Sequence, residues 1–196
     1  MRSNKKRDSE RGFSLLELLA VVSIIMIVMA FAVFQIGPTV RRAHVEAAAT
    51  LVQNQLRGAR AQAISDRGEY IVTFTTTGTI TTTAPNVTGF TPITVQLPSD
   101  VAFYVFGSLP RTPDNFLPAG NKVDFDQGGA GGNSLKIRFE PNGSAIDDAG
   151  SLNNGAVYIA QSTDLTTQRA VTLLGATSRI RTWRVMVKNG VATGWN

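Results

Sequence analysis

The 196-residue chain has no cysteine and a single histidine. The first absence excludes disulfides and thiolate metal sites, so an exported domain of this composition is held by packing alone. The second leaves no His/Asp/Glu set at metal-ligand spacing. His44 sits in a helix-patterned stretch beside Arg42 and Glu46, away from any glycine-rich loop or nucleophile elbow, and reads as a solvated helix residue. No phosphate-cradling loop and no repeat of 20 to 50 residues is visible, and no cofactor is expected. Charge is sparse as well, at 17% of residues. Most of the net +5 is local: five basic residues face two acidic ones in residues 1–12, a net +3, which leaves +2 for the rest. That excludes a global basic field for nucleic acid, so any basic site must be local.

One long apolar run is present. Residues 11 to 34 read RGFSLLELLAVVSIIMIVMAFAVF, and residues 13–36 form a stretch long enough to cross a bilayer as a helix. The basic residues before it predict a cytoplasmic N-terminus, with everything after residue 36 on the outer side. An uncleaved signal anchor is the plain account; a cleaved signal peptide fits less well, because no small-residue cleavage site ends the run. Glu17 stands inside it, although a carboxylate at mid-bilayer depth costs roughly 2.5–3.5 kcal/mol. Lying near the end of the run, Glu17 can snorkel to the interface.

The junction RGFSLLELL, with Gly12 before Phe13 and Glu17 fifth counting from Phe13, resembles the signal of type IV prepilins and type II secretion pseudopilins. The resemblance implies that a prepilin peptidase cuts after Gly12 and N-methylates Phe13, with the apolar segment kept as half of a long helix. The physics is consistent with this. Glycine leaves the scissile carbonyl unshielded, and cutting creates an α-amino group beside the apolar run. A carboxylate one helical turn in offsets that charge, more strongly in low dielectric than in water. In the family the amine belongs to a neighbouring subunit, which makes Glu17 a filament-assembly residue.

Gly37-Pro38 follows the run, and the proline predicts a kink or locally melted turn there. From Thr39 to about Ser65 the pattern is amphipathic: Val40, Ala43, Ala47, Leu51 and Leu56 form one stripe, with Val52, Ala59 and Ala63 beside it. SDRGEY (65 to 70) ends the helix, with Gly68 suited to the left-handed terminal position. The remainder reads as antiparallel strands: two about Gly78, one or two broken at Pro98, a strand–turn–strand in SLKIRFEPNGSAI, then GAVYIAQST, RAVTLLGA and SRIRTWRVMVKNG. Leu109 to Asn121 reads as weakly ordered. Asp124 and Asp126 have calcium-loop spacing, but Gly128 and Leu135 break the pattern, and a flexible turn is expected.

This layout is similar to the FimT/GspH branch of the family. It implies an α+β, type IV pilin-like fold in which a long N-terminal helix, apolar then amphipathic, packs on an antiparallel β-sheet domain. The parts are a leader at 1–12, a transmembrane and filament-core half at 13–36, an amphipathic half at 37–66 and a β-rich domain at 67–196. The implied role is a non-enzymatic filament subunit in the bacterial inner membrane. The first reading is an H-type minor pseudopilin of a type II secretion system; the second is a FimT/FimU-like minor pilin. A signal-anchored periplasmic enzyme is the third. Partners would be other pilins or pseudopilins, prepilin peptidase, the inner membrane and the assembly platform, with no small-molecule substrate. Arg179, Arg181, Arg184 and Lys188 with Trp183 are the candidate DNA-contacting residues: in a strand Arg179, Arg181 and Trp183 share a face. The plain account is a charged edge strand. The Gly-Arg-x-Arg motif of some FimT-type minor pilins that aid DNA uptake is here Ser178-Arg179-Ile180-Arg181, without its glycine.

Overall fold

The structure, a computed structural model, describes residues 14–118, 120–125 and 134–196, and of residues 31–36 the backbone alone. The chain divides into two compact units, residues 1–40 and 41–196.

In the first unit a helix begins at Leu15; it is the start of α1, Leu15–Asp66. Ser14 caps it, its Oγ accepting from Leu16 N at 3.3 Å and its carbonyl from Glu17 N at 3.0 Å. Leu15, Leu16, Met26, Val28 and Met29 are each at least 60% exposed, an apolar surface of the kind that marks a contact with a membrane or another protein. Among the described residues no helix is long and apolar enough to cross a membrane; the side chains of residues 31–36, which complete the apolar run, lie outside them. The predicted melted turn at Gly37-Pro38 is not there. α1 runs through Pro38 without a break in the helix, although a proline there removes a backbone donor and crowds the carbonyl four residues before it.

In the second unit residues 41–66 of α1 bury Val45, Ala48, Ala49, Val52, Leu56, Ala59 and Ala63. This stripe is rotated from the predicted one: Val40, Ala43 and Ala47 are exposed and Leu51 is half-buried. The larger Val45, Val52 and Leu56, whose burial contributes about 1.5–3 kcal/mol each, decide which apolar ribbon faces in. Polar ties fix the helix. Arg60 Nε donates to Gly143 O at 3.1 Å, Thr82 Oγ1 to Gln55 Oε1 at 3.4 Å, and Arg169 Nε to Glu46 Oε2 at 2.8 Å. His44 is tethered, not merely solvated: its Nδ1 lies 2.9 Å from Asp100 Oδ2. A solvated reading of His44 misses this because Asp100 is distant in sequence.

The helix ends in a Schellman turn. Arg67 takes the left-handed conformation (φ 50°) and Gly68 N donates to Ala63 O at 3.2 Å. The left-handed position is therefore Arg67, not Gly68. Glycine is needed at 68 for space, since a Cβ there would run into Val87 Cγ2.

Two antiparallel sheets follow, where the sequence suggested one. The first has the order β3 (Ile93–Gln96), β2 (Thr79–Thr83), β1 (Tyr70–Phe74), β6 (Lys136–Phe139), β7 (Ala145–Ile146). The second has β11 (Val191–Trp195), β10 (Arg179–Lys188), β9 (Arg169–Leu174), β8 (Gly155–Ala160), β4 (Ala102–Phe103), with β5 (Val123–Asp124) also on β8. β5 and β11 are additions to the predicted strands. The fold is α+β, one N-terminal helix packed on antiparallel sheets.

The main core joins α1, the first sheet and one face of β8 and β9 through Val157, Ile159, Val171 and Leu173. A second core lies on the other face: Ala156, Tyr158 and Ala170 are covered by Leu109, Phe116, Val185 and Trp195. β8 is thus buried along its whole length. The stretch from Leu109 to Asn121 carries no strand, yet it is anchored cover. Trp195 Nε1 donates to Pro110 O at 2.9 Å, and Phe116 N donates to Thr112 Oγ1 at 3.1 Å. Asp124 is buried; the rest of the calcium-type spacing, 126–133, lies outside the described residues.

Two predictions test this packing. A Cβ at Gly155 would sit 2.7 Å from Phe125 Cα and 2.8 Å from Asp124 O, both backbone atoms. Gly155→Ala is expected to destabilise the domain by about 3 kcal/mol in chemical denaturation. Tyr70, buried, donates to Asp66 Oδ2 at 2.5 Å, joining the last turn of α1 to β1. Burial, then the Asp66 carboxylate, pushes its phenol up to about 12. A folded value above the unfolded one near 10 means that this stability is complete below pH 10 and is lost as pH rises through 12. Tyr158 is raised in the same direction by burial and then Asp124. Denaturation midpoints should therefore fall between pH 10 and 12, and the double variant Tyr70→Phe/Tyr158→Phe should flatten that fall.

Candidate functional site

Two regions carry the predicted site residues. At the N-terminus, Gly12 and Phe13 lie outside the described residues. Glu17 is exposed in the first turn of α1, three residues after the capping Ser14. Ser14-x-x-Glu17 is a capping-box pattern that the membrane reading of this stretch had hidden. A carboxylate here faces the positive end of the helix dipole.

The second region is β10. The structure does not gather its five candidates into one patch. Arg179, Arg181 and Trp183 share a face, as alternation predicted, while Arg184 falls on the opposite one and Lys188 lies beyond a bulge at Met186/Val187. The shared face is organised by Asp114, which the sequence had placed in a featureless loop. Its carboxylate is 5% exposed, with Arg179 Nη2 at 3.1 Å and Arg181 Nη1 at 3.9 Å. It also accepts from Thr172 Oγ1 at 2.5 Å and Trp183 Nε1 at 3.2 Å. Trp183 Nε1 makes a further bond to Thr172 Oγ1 at 2.9 Å, and Arg181 Cζ lies 5.6 Å from the indole centroid. The arrangement is an anion-recognition site already filled from within. Two guanidiniums, an indole N–H and a hydroxyl surround one carboxylate, which reduces the charge of the face from +2 to +1.

A second buried device ties the segment upstream of the loop, at Tyr104 and Phe106, to the second sheet. Gln168, fully buried, donates from Nε2 to Tyr104 O, Ile159 O and Arg169 O at 3.1–3.2 Å and accepts from Phe106 N at 3.2 Å. Among the described residues no group of His, Asp or Glu gathers at metal-binding distance.

Residues 7–33 match the model of the prokaryotic N-terminal methylation motif. The match takes in Gly12, Phe13 and Glu17 and the end of the basic stretch from Arg7, which bears out the resemblance drawn from this segment. No curated protein matches the chain. Among solved structures it is similar to the type IV minor pilin FimU of Pseudomonas aeruginosa, at 12% identity over 80% of this chain and 97% of that one, with a TM-score of 0.47. It is also similar to the minor pseudopilin EpsH from the type 2 secretion system of Vibrio cholerae, at 12% identity over 72% of this chain and 97% of that one, with a TM-score of 0.45.

Proposed function

We propose that this chain is a structural, non-enzymatic subunit of a type IV pilin-like filament. It is made with the leader 1–12, cut after Gly12 by prepilin peptidase and N-methylated on Phe13. The observation that carries the reading is the methylation motif over residues 7–33, followed directly by one helix whose later half packs on a β-rich domain. Residues 13–36 serve as inner-membrane anchor and then filament core. Residues 37–66 connect that anchor to the periplasmic domain at 67–196, and the N-terminus is cytoplasmic. Partners are other pilins or pseudopilins and the assembly platform.

The finer role we favour is an H-type minor pseudopilin of a type II secretion system, with a FimT/FimU-like minor pilin as the alternative. A deletion strain separates them: loss of an exported protein supports the first, loss of surface pili or of DNA uptake the second. DNA binding through β10 is the weaker reading, since Asp114 already holds Arg179 and Arg181. The central test is intact-mass analysis of protein extracted from its native membrane. The expected species starts at N-methylated Phe13; recovery of only the uncut chain in the presence of active peptidase would overturn the proposal.

A further inference from the structure

On the other face of β10 an open cavity of about 520 Å³ lies between residues 42–46 of α1 and the end of the second sheet. Arg42, Glu46, Arg169, Thr182, Trp183, Arg184 and Asn196 line it. Arg169 is committed through Nε and Nη1. Its side chain is 4% exposed, with Nε on Glu46 Oε2 at 2.8 Å and Nη1 on Thr167 O and Gln168 O at 3.1 Å each. Arg42 and Arg184 are exposed, and among the described residues neither guanidinium has a hydrogen-bond or ion-pair partner. Thr182 Oγ1 is buried without a partner. Arg184 is kept in place through its backbone, paired with Asn196 at 2.8 and 2.9 Å.

Counting side chains, three guanidiniums against one carboxylate give the lining a charge of +2. Two free forks and an unpaired hydroxyl fit the oxygens of a phosphate group better than those of a lone carboxylate, whose two oxygens a single fork satisfies. The cavity also stands at a particular place along the chain. The apolar run ends at Ile36 and Arg42 follows six residues later, a juxtamembrane position in sequence, where basic side chains are drawn to anionic headgroups.

We infer that this cavity is a headgroup site, taking the phosphate of an anionic phospholipid in the leaflet next to the β-rich domain. The inference rests on the reading of residues 13–36 as a membrane segment. It assigns Arg42 and Arg184 as the phosphate forks, Thr182 as a supporting donor, and the Glu46–Arg169 pair as the wall that keeps the cavity open. A nucleic acid is the less suited occupant, because the indole N–H of Trp183 is committed to Asp114 and Thr172.

The test is a calorimetric titration of the full chain in nonionic detergent micelles with short-chain phosphatidylglycerol. Inorganic phosphate and a single-stranded oligonucleotide form two further arms. The lipid should bind, and Arg42→Ala and Arg184→Ala should each weaken it by about tenfold. Lys136→Ala, which removes a surface cation from the other sheet, should leave binding unchanged. Unaltered binding by both arginine variants would overturn the site. Inorganic phosphate binding as tightly as the lipid would make it a free-anion site, and tighter oligonucleotide binding lost in the same variants would make it a nucleic-acid site; either removes the lipid assignment. Alkaline extraction of native membranes tests the membrane reading separately, since a chain released by carbonate fails that reading whatever the micelle titration shows.

Discussion

Replacing Asp114 with alanine is expected to destabilise the domain by about 1.5–3 kcal/mol and to sharpen its response to polyanions. The first effect follows from what the carboxylate holds. It is 5% exposed, and charge-assisted bonds of this kind contribute more than neutral ones. The loss stays below the 3–5 kcal/mol typical of an orphaned buried charge, because Arg179 and Arg181 are 47% and 45% exposed and can rehydrate. Trp183 also keeps its bond to Thr172. What loosens is the cover from Leu109 to Asn121, so limited proteolysis should cut there sooner in the variant than in the parent. The second effect follows from electrostatics. Freeing two guanidiniums adds one net positive charge to the Arg179/Arg181/Trp183 face. Plotted as log affinity against log salt, binding of single-stranded DNA should steepen by about 0.7 for the one additional phosphate engaged. Two measurements therefore decide the role of Asp114, a denaturation midpoint and a salt-dependent mobility shift. A parent-like salt slope would mean that the carboxylate does not compete with phosphate at this face; a parent-like midpoint would mean that it does not fasten the cover.

The strands and the methylation signal are local properties of the chain, and those are what the sequence made legible. Short runs rich in β-branched and aromatic residues, set between turn residues, located β1, β2, β6, β8, β9 and β10. β11 escaped because, of VATGW, only Trp195 is buried, so its alternation is too weak to see. The phase of α1 was misread where two apolar ribbons run side by side, since periodicity reports spacing and not which ribbon meets the sheet. Division into two sheets is likewise a long-range choice: the chain leaves the first sheet after β3, returns to it for β6 and β7 and leaves it again at β8, and no local signal marks the changes. The same limit hid Asp114, whose partners Thr172, Arg179 and Trp183 lie far along the chain and come together only when the Leu109–Asn121 cover folds over the second core. The arginines were found because two of them alternate within one strand; their occupant was not, because a carboxylate in a proline-rich loop has no pattern of its own. A Gly-Arg-x-Arg search would not have found it either.

Glu17→Ala is expected to leave membrane insertion and the processed mass unchanged while reducing filament assembly by at least about tenfold. Two local accounts of Glu17 are available from the structure, its first-turn position on the helix dipole and the neighbouring Ser14 cap. A first-turn carboxylate is worth about 0.3–1 kcal/mol at an exposed site. That is less than the roughly 2.5–3.5 kcal/mol a carboxylate costs at depth in a bilayer, so the dipole alone does not account for a charge kept in the apolar run. An ion pair at about 4 Å is worth about 1 kcal/mol in water and about 4 kcal/mol at an effective dielectric of 20. That is the scale needed, and under the proposed processing the amine created at Phe13 is the cation on hand. On that proposal the leader carries the insertion charges and Gly12 the cut site, so removing the carboxylate touches neither step, and its absence is felt where one subunit's Glu17 would meet a neighbour's Phe13 amine. Glu17→Gln separates charge from shape: it should fail to assemble as Glu17→Ala does, whereas Glu17→Asp should retain partial assembly. Parent-like filaments from the glutamine variant would instead give the role to hydrogen bonding, and parent-like filaments from the alanine variant would leave snorkelling and the helix dipole as the whole account.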